Sequence, residues 1–204
     1  MKRYPSIEKE IIKGEYTYLF DKLDGSNIRA EWTKKNQFYK FGSRTELIDK
    51  SHLLLGKAPQ LIIDKYQADL TKKFKENRIE KAICFFEFHG PSSFAGNHDL
   101  SEIQTVTLFD ISVHPKGIIK PKEFLKLTEG LDIAKLLYEG FLDQSIIESI
   151  QNGTLPNMTF EGVIGKTNSG RPGLPNMFKI KNKNWIQKLK EYCKDNEELF
   201  NKLA

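Results

Sequence analysis

Alternating apolar and polar positions along most of the chain predict a protein built mainly of β-strands, with several amphipathic helices between them. The predicted strands cover 16–20, 28–32, 37–41, 82–89, 104–113, 159–166 and 177–183. The predicted helices cover 59–77, 121–127, 132–139 and 143–151, and Asn184 is expected to cap a C-terminal helix at about 184–203. The Gly- and Pro-containing segments 91–100 and 167–176 are expected to be loops. Strands interspersed with helices in this way indicate an α+β fold with a largely antiparallel sheet, formed as one domain over 1–204.

Composition narrows the class of protein. Hydrophobic residues make up 39% and charged residues 29% of the 204 positions, so a sizeable core is expected and disorder is not. The net charge of +5 suits a polyanionic partner, although surface lysines that keep a protein in solution would give the same value. Cys84 and Cys193 have no metal-site or disulfide spacing, which favours a reducing cytoplasm. No apolar run is long enough for a membrane helix, so no membrane partner is expected.

The segment 22–27 places an amine at the end of a predicted strand. Lys22 follows an aromatic run and stands two residues before the Asp24-Gly25 turn. A lysine can act as a nucleophile when burial or neighbouring cations lower its pKa, but Lys22 could equally be an ordinary strand-end residue before a polar turn. Which alternative holds depends on whether the rest of the chain supplies charged or ligand-binding residues near Lys22.

Two predicted strands each carry a single acid among apolar residues. Alternation along 82–89 puts Glu87 on the face opposite Phe86 and Phe88. A carboxylate there needs a cation, a metal or a ligand hydroxyl, unless it faces water on an edge strand. Glu161 repeats the arrangement and is followed by Gly162, which lets another backbone or a phosphate approach closely.

A pair of lysines gives the opposite charge. Lys179 and Lys181 project to the same face of a predicted strand, about 7 Å apart. They suit a phosphate chain and would lower the pKa of a third lysine nearby, although further lysines follow and a solvated basic face is the alternative. Phe109 could stack on a base or pack in the core, and Arg44, close after a flexible glycine, suits a phosphate or ribose contact.

Taken in order, these segments resemble the signature of the covalent nucleotidyltransferase superfamily, which contains polynucleotide ligases and mRNA capping enzymes. The family has a Lys-x-Asp-Gly nucleophile element, a strand with a glutamate, a Glu-Gly-Val strand and a Lys-x-Lys strand. Here these are 22–25, 86–88, 161–163 and 179–181. Phe109-Asp110 falls between the second and third, where the family stacks its base. The resemblance extends from about residue 16 to 185 and implies a ligase-type nucleotidyltransferase fold, similar to ATP-grasp.

Within the superfamily the chain looks most like nick-sealing RNA ligases. Asn27 stands five residues after the nucleophile, where DNA ligases and capping enzymes usually have arginine, and 42–45 resembles the arginine motif of those RNA ligases. Asp24 is a departure, since the nick-sealing branch often has histidine there. Only about twenty residues follow the Lys-x-Lys strand, so we expect an adenylyltransferase domain with little or no C-terminal domain, for which a partner protein would supply nucleic-acid binding.

The resemblance implies an ATP-dependent RNA ligase. Lys22 would attack the α-phosphorus of ATP, release pyrophosphate and form lysyl-AMP, and the AMP would pass to a 5′-phosphate RNA end that a 3′-hydroxyl then seals. Lys179, Lys181 and Mg²⁺ (or Mn²⁺) would lower the pKa of Lys22 and stabilise charge at phosphorus. Glu161 would bind the metal, while Glu87 would hold the ribose or assist the metal.

The remaining residues would bind the nucleotide and the RNA. Asn27 and Arg44 would contact phosphate or the RNA end, Phe109 would stack on adenine, and backbone groups near Asp21 and Leu23 would read its edge. The expected partner is RNA, including a nicked duplex or an RNA–DNA hybrid, and the protein is expected to be a monomer. The alternatives are a capping-type guanylyltransferase and a catalytically inactive relative that only binds nucleic acid.

Overall fold

Two antiparallel sheets form the framework of the protein, whose structure is a computed structural model describing residues 1–7 and 9–204. The strands are β1 (Tyr16–Asp21), β2 (Ser26–Thr33), β3 (Gln37–Gly42), β4 (Leu47–Ile48), β5 (Lys81–His89), β6 (Thr105–Val113), β7 (Gly117–Ile118), β8 (Leu136–Phe141), β9 (Gly162–Arg171) and β10 (Leu174–Lys181). The helices are α1 (Ala58–Glu76), α2 (Pro121–Leu127), α3 (Gln144–Gln151), α4 (Lys183–Cys193) and α5 (Glu197–Leu203).

The chain passes from one sheet to the other directly after its first strand. The smaller sheet has the strand order β10-β9-β1-β8, and the larger one has the order β4-β3-β2-β5-β6-β7. The segment 22–25 therefore links the two sheets, because β1 and β2 belong to different ones. Every paired strand is antiparallel to its neighbours, which confirms the predicted α+β class with antiparallel sheets.

Each sheet buries one apolar face against helices. On α1, Ile62, Tyr66, Leu70 and Phe74 recur at four-residue steps and are buried in the larger core, together with side chains of β2, β5 and β6. This spacing matches the helical period, so the predicted helix 59–77 is confirmed to within one residue. A smaller core lies between β1, β9, β10 and α3.

The predicted helix 132–139 is wrong, because its second half begins the edge strand β8 and its first half has no helical residue. The residues of β8 pair with β1 from Tyr16 opposite Phe141 to Phe20 opposite Leu136. Pairing with the otherwise open edge of β1 decides the conformation, and Leu137 and Tyr138 pack against the smaller core.

Two expectations near the C-terminus also need correction. The segment 167–176 is mostly strand, because β9 and β10 form a hairpin that turns at Pro172 and Gly173. The C-terminal helix is two helices, since Lys194 has a φ of 50°, which an α-helix cannot contain. The cap of α4 is Asn182 rather than Asn184, and its side chain accepts a hydrogen bond from the Asn184 backbone N–H.

Candidate active site

A cavity of about 510 Å³ opens beside the segment that links the two sheets. Its size is that of a pocket for a small ligand such as a nucleotide. Nine of the ten predicted site residues line it. They are Lys22 and Leu23 on the link, Asn27, Arg44, Glu87 and Phe109 on the side of the larger sheet, and Asp21, Glu161 and Lys179 on the side of the smaller one. The tenth, Lys181, reaches the same cluster through Glu161.

The Lys22 amine lies next to a buried carboxylate. The Lys22 backbone N–H donates to the Gly162 carbonyl at 3.0 Å, which holds the end of β1 against the start of β9. The side-chain Nζ is 2.9 Å from Glu161 Oε1, and the Nζ of Lys181 is 3.0 Å from the same oxygen. One carboxylate oxygen therefore bridges the two ammonium groups.

This arrangement corrects one expectation about Lys22. Burial alone would lower the pKa of Lys22, but the carboxylates of Glu161, Glu87 and Asp24 outweigh it and raise the pKa above its usual value. The lowered pKa values belong to the neighbouring lysines instead. Burial lowers the pKa of Lys181 to about 8, against the opposing charge of Glu161. The protein's own neighbours of Lys22 therefore favour its ammonium form.

Helix α5 contacts the two lysines of the Lys-x-Lys strand. Lys179 Nζ donates to the backbone carbonyl of Ala204 at 3.0 Å, and Lys181 Nζ donates to that of Leu203 at 3.1 Å. Burial lowers the pKa of Lys179, and the charge of Lys22 lowers it further. A phosphate chain that used both ammonium groups would have to share their protons with these carbonyls or displace them.

Glu87 and Asn27 face each other across β5 and β2, where they are register partners. Burial raises the pKa of Glu87 to about 8, although the positive charge of Lys22 opposes the shift. The Asn27 Oδ1 atom is buried and has no hydrogen-bond partner among the described residues. A buried oxygen without a donor is unfavourable, so this atom is a candidate contact for a bound ligand or cation.

Phe109 both lines the cavity and packs on aromatic side chains. The Tyr4 ring packs edge-on against the Phe109 ring, with 5.1 Å between the ring centres. The Phe109 backbone carbonyl accepts a hydrogen bond from Lys166 Nζ at 3.0 Å. Lys166 also forms a buried ion pair of 2.9 Å with Asp110, whose carboxylate accepts a further hydrogen bond from the Tyr4 hydroxyl. This network fixes the strand segment that carries Phe109.

Two glycines allow the strands around the site to approach closely. Gly162 has a φ of 134°, and a Cβ there would lie 2.2 Å from the Ile180 carbonyl oxygen of β10. A Cβ on Gly25 would lie 2.2 Å from the Phe88 carbonyl oxygen of β5. The close backbone approach predicted at Gly162 is therefore made by the next strand, and it holds Glu161 beside Lys181.

Sequence reasoning missed Lys166 and Trp185 as cavity residues. Lys166 ends the predicted strand 159–166, and a charge among apolar strand residues is the same signal that indicates Glu87 and Glu161. Trp185 lies within the predicted C-terminal helix, where a tryptophan is expected to pack in a core. No signal in the sequence distinguishes a tryptophan that packs in a core from one whose ring also faces a ligand cavity.

The residues present fit a divalent metal that is held mainly by the phosphates of a bound nucleotide. No cluster of three or more His, Cys, Asp or Glu side chains with metal-site geometry occurs within 1–7 and 9–204. Magnesium usually takes one or two carboxylates and completes its shell with phosphates and water. Glu161, Glu87 and the unpaired Oδ1 of Asn27 supply such oxygens at the cavity. Over the same residues, no helix has the length and hydropathy that a membrane span requires.

Comparison with known proteins identifies the fold. No protein-family model and no curated protein sequence matches the chain. Among solved structures, an archaeal ATP-dependent RNA ligase matches with a TM-score of 0.65 and 13% identity over 95% of this chain and 52% of its own. A Naegleria gruberi RNA ligase with pyrophosphate matches with a TM-score of 0.63 and 18% identity over 88% of this chain and 53% of its own.

A variant of the Naegleria ligase with ATP and manganese gives a TM-score of 0.63 at 16% identity, over 86% of this chain and 52% of its own. The chain thus spans about half the length of these ligases. At such low identities the likeness concerns architecture, and that architecture agrees with the arrangement of the two sheets around the cavity. The chain has the nucleotidyltransferase-domain fold of ATP-dependent RNA ligases.

Proposed function

We propose that the protein is an ATP-dependent RNA ligase, or the adenylylating domain of one, in which Lys22 forms a covalent lysyl-AMP. The observation that carries the proposal is the Glu161 oxygen shared by the ammonium groups of Lys22 and Lys181, inside a cavity of nucleotide size. The RNA ligases with which the chain shares its fold include complexes with ATP and manganese and with pyrophosphate.

In the proposed first step the Lys22 nitrogen forms a bond to the α-phosphorus of ATP, while the bond from that phosphorus to the pyrophosphate oxygen breaks. Lys22 must lose a proton first, and Glu161 Oε1 at 2.9 Å is an acceptor already in contact with it. A bound divalent metal would supply positive charge to the phosphates. When Glu161 shares its charge with such a cation, its carboxylate raises the pKa of Lys22 less.

The other residues would bind the nucleotide and the departing group. Lys179 and Lys181 would stabilise the charge that develops on pyrophosphate. Phe109 would stack on adenine, held in place by the Lys166 hydrogen bond to its carbonyl. Glu87, protonated over part of the neutral pH range, would donate to or accept from a ribose hydroxyl. Asn27 and Arg44 would contact a phosphate or the RNA end.

The RNA steps follow from the chemistry of lysyl-AMP. Its AMP would pass to the 5′-phosphate of an RNA end, and a 3′-hydroxyl would then displace the AMP and form the phosphodiester bond. A nicked duplex or RNA–DNA hybrid is the proposed substrate. We also predict that a partner protein supplies further contacts to the nucleic acid.

Covalent labelling tests the first step. The protein is incubated with α-³²P-labelled ATP or GTP and Mg²⁺ or Mn²⁺, and the products are separated on a denaturing gel. We expect label from ATP and none for Lys22→Ala, while Lys34→Ala, which removes an exposed lysine paired with Glu80, labels as the wild type does. Label from GTP alone would favour a guanylyltransferase, and unchanged labelling of Lys22→Ala would refute Lys22 as the nucleophile.

Ligation assays test the second half of the proposal. The labelled protein is mixed with a nicked duplex carrying a 5′-phosphate and a 3′-hydroxyl, or with the same strands unpaired. Transfer of AMP to the 5′-phosphate followed by sealing of the nick is the expected result. Labelling without transfer to either RNA would refute sealing by this chain alone and leave the adenylylating-domain alternative.

A further inference from the structure

The Lys181 ammonium is held by three different partners. Its Nζ lies 3.7 Å from the centre of the Trp185 ring, 3.0 Å from Glu161 Oε1 and 3.1 Å from the Leu203 carbonyl oxygen. Tryptophan offers the most favourable aromatic face for a cation, and the contact is strongest where water is excluded. The Lys181 side chain is only 9% exposed, so this contact is of the strong kind.

The Trp185 ring is itself fixed by Asp24. The indole is 1% exposed, and its N–H donates to Asp24 Oδ2 at 2.6 Å. A buried indole N–H needs an acceptor, and the direction of that hydrogen bond sets the plane of the ring. The Phe94 ring packs against the indole at 5.6 Å.

Asp24 connects three parts of the site. Its second oxygen, Oδ1, accepts a hydrogen bond from the Ala95 backbone N–H at 2.7 Å. Asp24 also stands two residues after Lys22 in the segment that links the sheets. The turn that carries the proposed nucleophile therefore also orients, through Trp185, the lysine on the neighbouring strand.

We propose that Trp185 is a positioning residue for Lys181, with Asp24 as the group that orients the indole, in the nucleotide-transfer reaction proposed above, on which this inference rests. A lysine has a flexible stem, and the face of Trp185 limits where its ammonium can lie. The ammonium then meets the phosphates in one place, beside Glu161 and the Lys22 nitrogen.

A thermodynamic cycle on nucleotide binding tests the proposal without requiring chemistry. The probe is α,β-methylene-ATP with Mg²⁺, whose α–β bridge cannot be cleaved, and its Kd is measured for wild type, Trp185→Leu, Lys181→Met and the double variant. We expect Trp185→Leu to weaken binding about tenfold in the wild-type background and less than about twofold in the Lys181→Met background, because the ring acts through that ammonium. Equal losses in both backgrounds would show a purely structural role and overturn the proposal.

Conservative variants separate positioning from folding. Trp185→Phe keeps an aromatic face and is expected to recover most of the affinity. Asp24→Asn offers one acceptor oxygen to two N–H donors. Its affinity for the analogue is expected to lie between those of the wild type and Trp185→Leu. Tyr192→Leu is the matched control, because Tyr192 lies on the same helix and packs on the same Phe94 without contacting Lys181. Thermal unfolding of each variant shows whether a loss of affinity comes from unfolding, and a Trp185→Phe protein that folds but binds as weakly as Trp185→Leu would also overturn the proposal.

The same samples distinguish this inference from the proposed function. A wild-type protein that takes no label from ATP and does not bind the analogue would refute both. If the wild-type protein is labelled by ATP but the effects of Trp185→Leu and Lys181→Met on binding simply add, only the role of Trp185 is refuted.

Discussion

Replacing Glu161 by glutamine removes the carboxylate that bridges two ammonium groups. The negative charge of Glu161 opposes the effect of burial on Lys22, so its loss should lower the pKa of Lys22. The substitution keeps the size of the side chain and one of its oxygens. It therefore changes the electrostatics of the site with little change in packing.

The size of the effect follows from the distance. Opposite unit charges 2.9 Å apart attract each other by about 6 kcal/mol at an effective dielectric constant of about 20. The Lys22 side chain is 24% exposed and keeps Glu87 and Asp24 as neighbours, so solvent and these carboxylates reduce the loss. We take a quarter to a half of the full value, about 1.4 to 3 kcal/mol, as the stabilisation that the Lys22 ammonium would lose, so the pKa of Lys22 should fall.

The assay is a pH titration of lysine amines that carry ¹³C-methyl groups introduced by reductive methylation, followed by NMR. The Lys22 resonance is assigned by its loss in Lys22→Arg. Lys34, whose exposed ion pair with Glu80 does not involve Glu161, is the internal control and should not shift. A pKa of Lys22 that stayed constant or rose in Glu161→Gln would refute the electrostatic reasoning. We also expect Glu161→Gln to lose covalent labelling despite its more easily deprotonated Lys22, because the proposed proton acceptor and metal ligand would be missing.

Three further predictions concern other parts of the site. Because the pKa of Glu87 is raised to about 8 in the folded protein, the folded state holds an extra proton above pH 4.5, and stability should fall as pH rises from about 4.5 to 8. Glu87→Gln should flatten this dependence by at least about 1 kcal/mol in chemical unfolding, whereas parallel curves for both proteins would contradict the assignment. Lys166→Met leaves Asp110 buried without its cation and should destabilise the protein by about 3–5 kcal/mol. Lys34→Met, at an exposed ion pair, should destabilise it by less than about 1 kcal/mol. Similar losses of stability in both variants would be inconsistent with a buried pair. Phe200→Asp puts a charge where α5 packs on the core and should detach this helix. Lys179 and Lys181 would then no longer donate to the carbonyls of Ala204 and Leu203, so binding of α,β-methylene-ATP should become several-fold stronger. Weaker binding would mean that α5 helps to form the site.

Residues whose burial follows from a short-range pattern could be predicted from the sequence. Glu87 and Glu161 stand out because an acid in an apolar strand needs a partner, and both line the cavity. Helix α1 follows from its four-residue repeat. The edge strand β8 could not be found in this way, because its conformation depends on pairing with β1, more than a hundred residues earlier in the chain.

The charge state of Lys22 shows a second limit. The order of motifs identifies three lysines and two acids, and it suggests that the lysines act on one another. The distances add what the order cannot show: Glu161 lies within 3.0 Å of both Lys22 and Lys181, and together with Glu87 and Asp24 it outweighs the effect of burial on the pKa of Lys22. The contact of α5 with Lys179 is equally inaccessible to sequence reasoning, because it joins a side chain to a backbone carbonyl.

These contacts give the buried charges of the site partners within the protein. Each ammonium of the cluster has an oxygen partner within the protein: Glu161 for Lys22, Glu161 and the Leu203 carbonyl for Lys181, and the Ala204 carbonyl for Lys179. An unpaired buried charge would cost several kcal/mol, so the pairing offsets the cost of burying these charges. In the proposed reaction, phosphate oxygens would replace the carbonyls and a metal would share the carboxylate. The same exchange of partners would convert the stabilised ammonium of Lys22 into a nucleophile, so activation would depend on a complete nucleotide and not on the lysine alone.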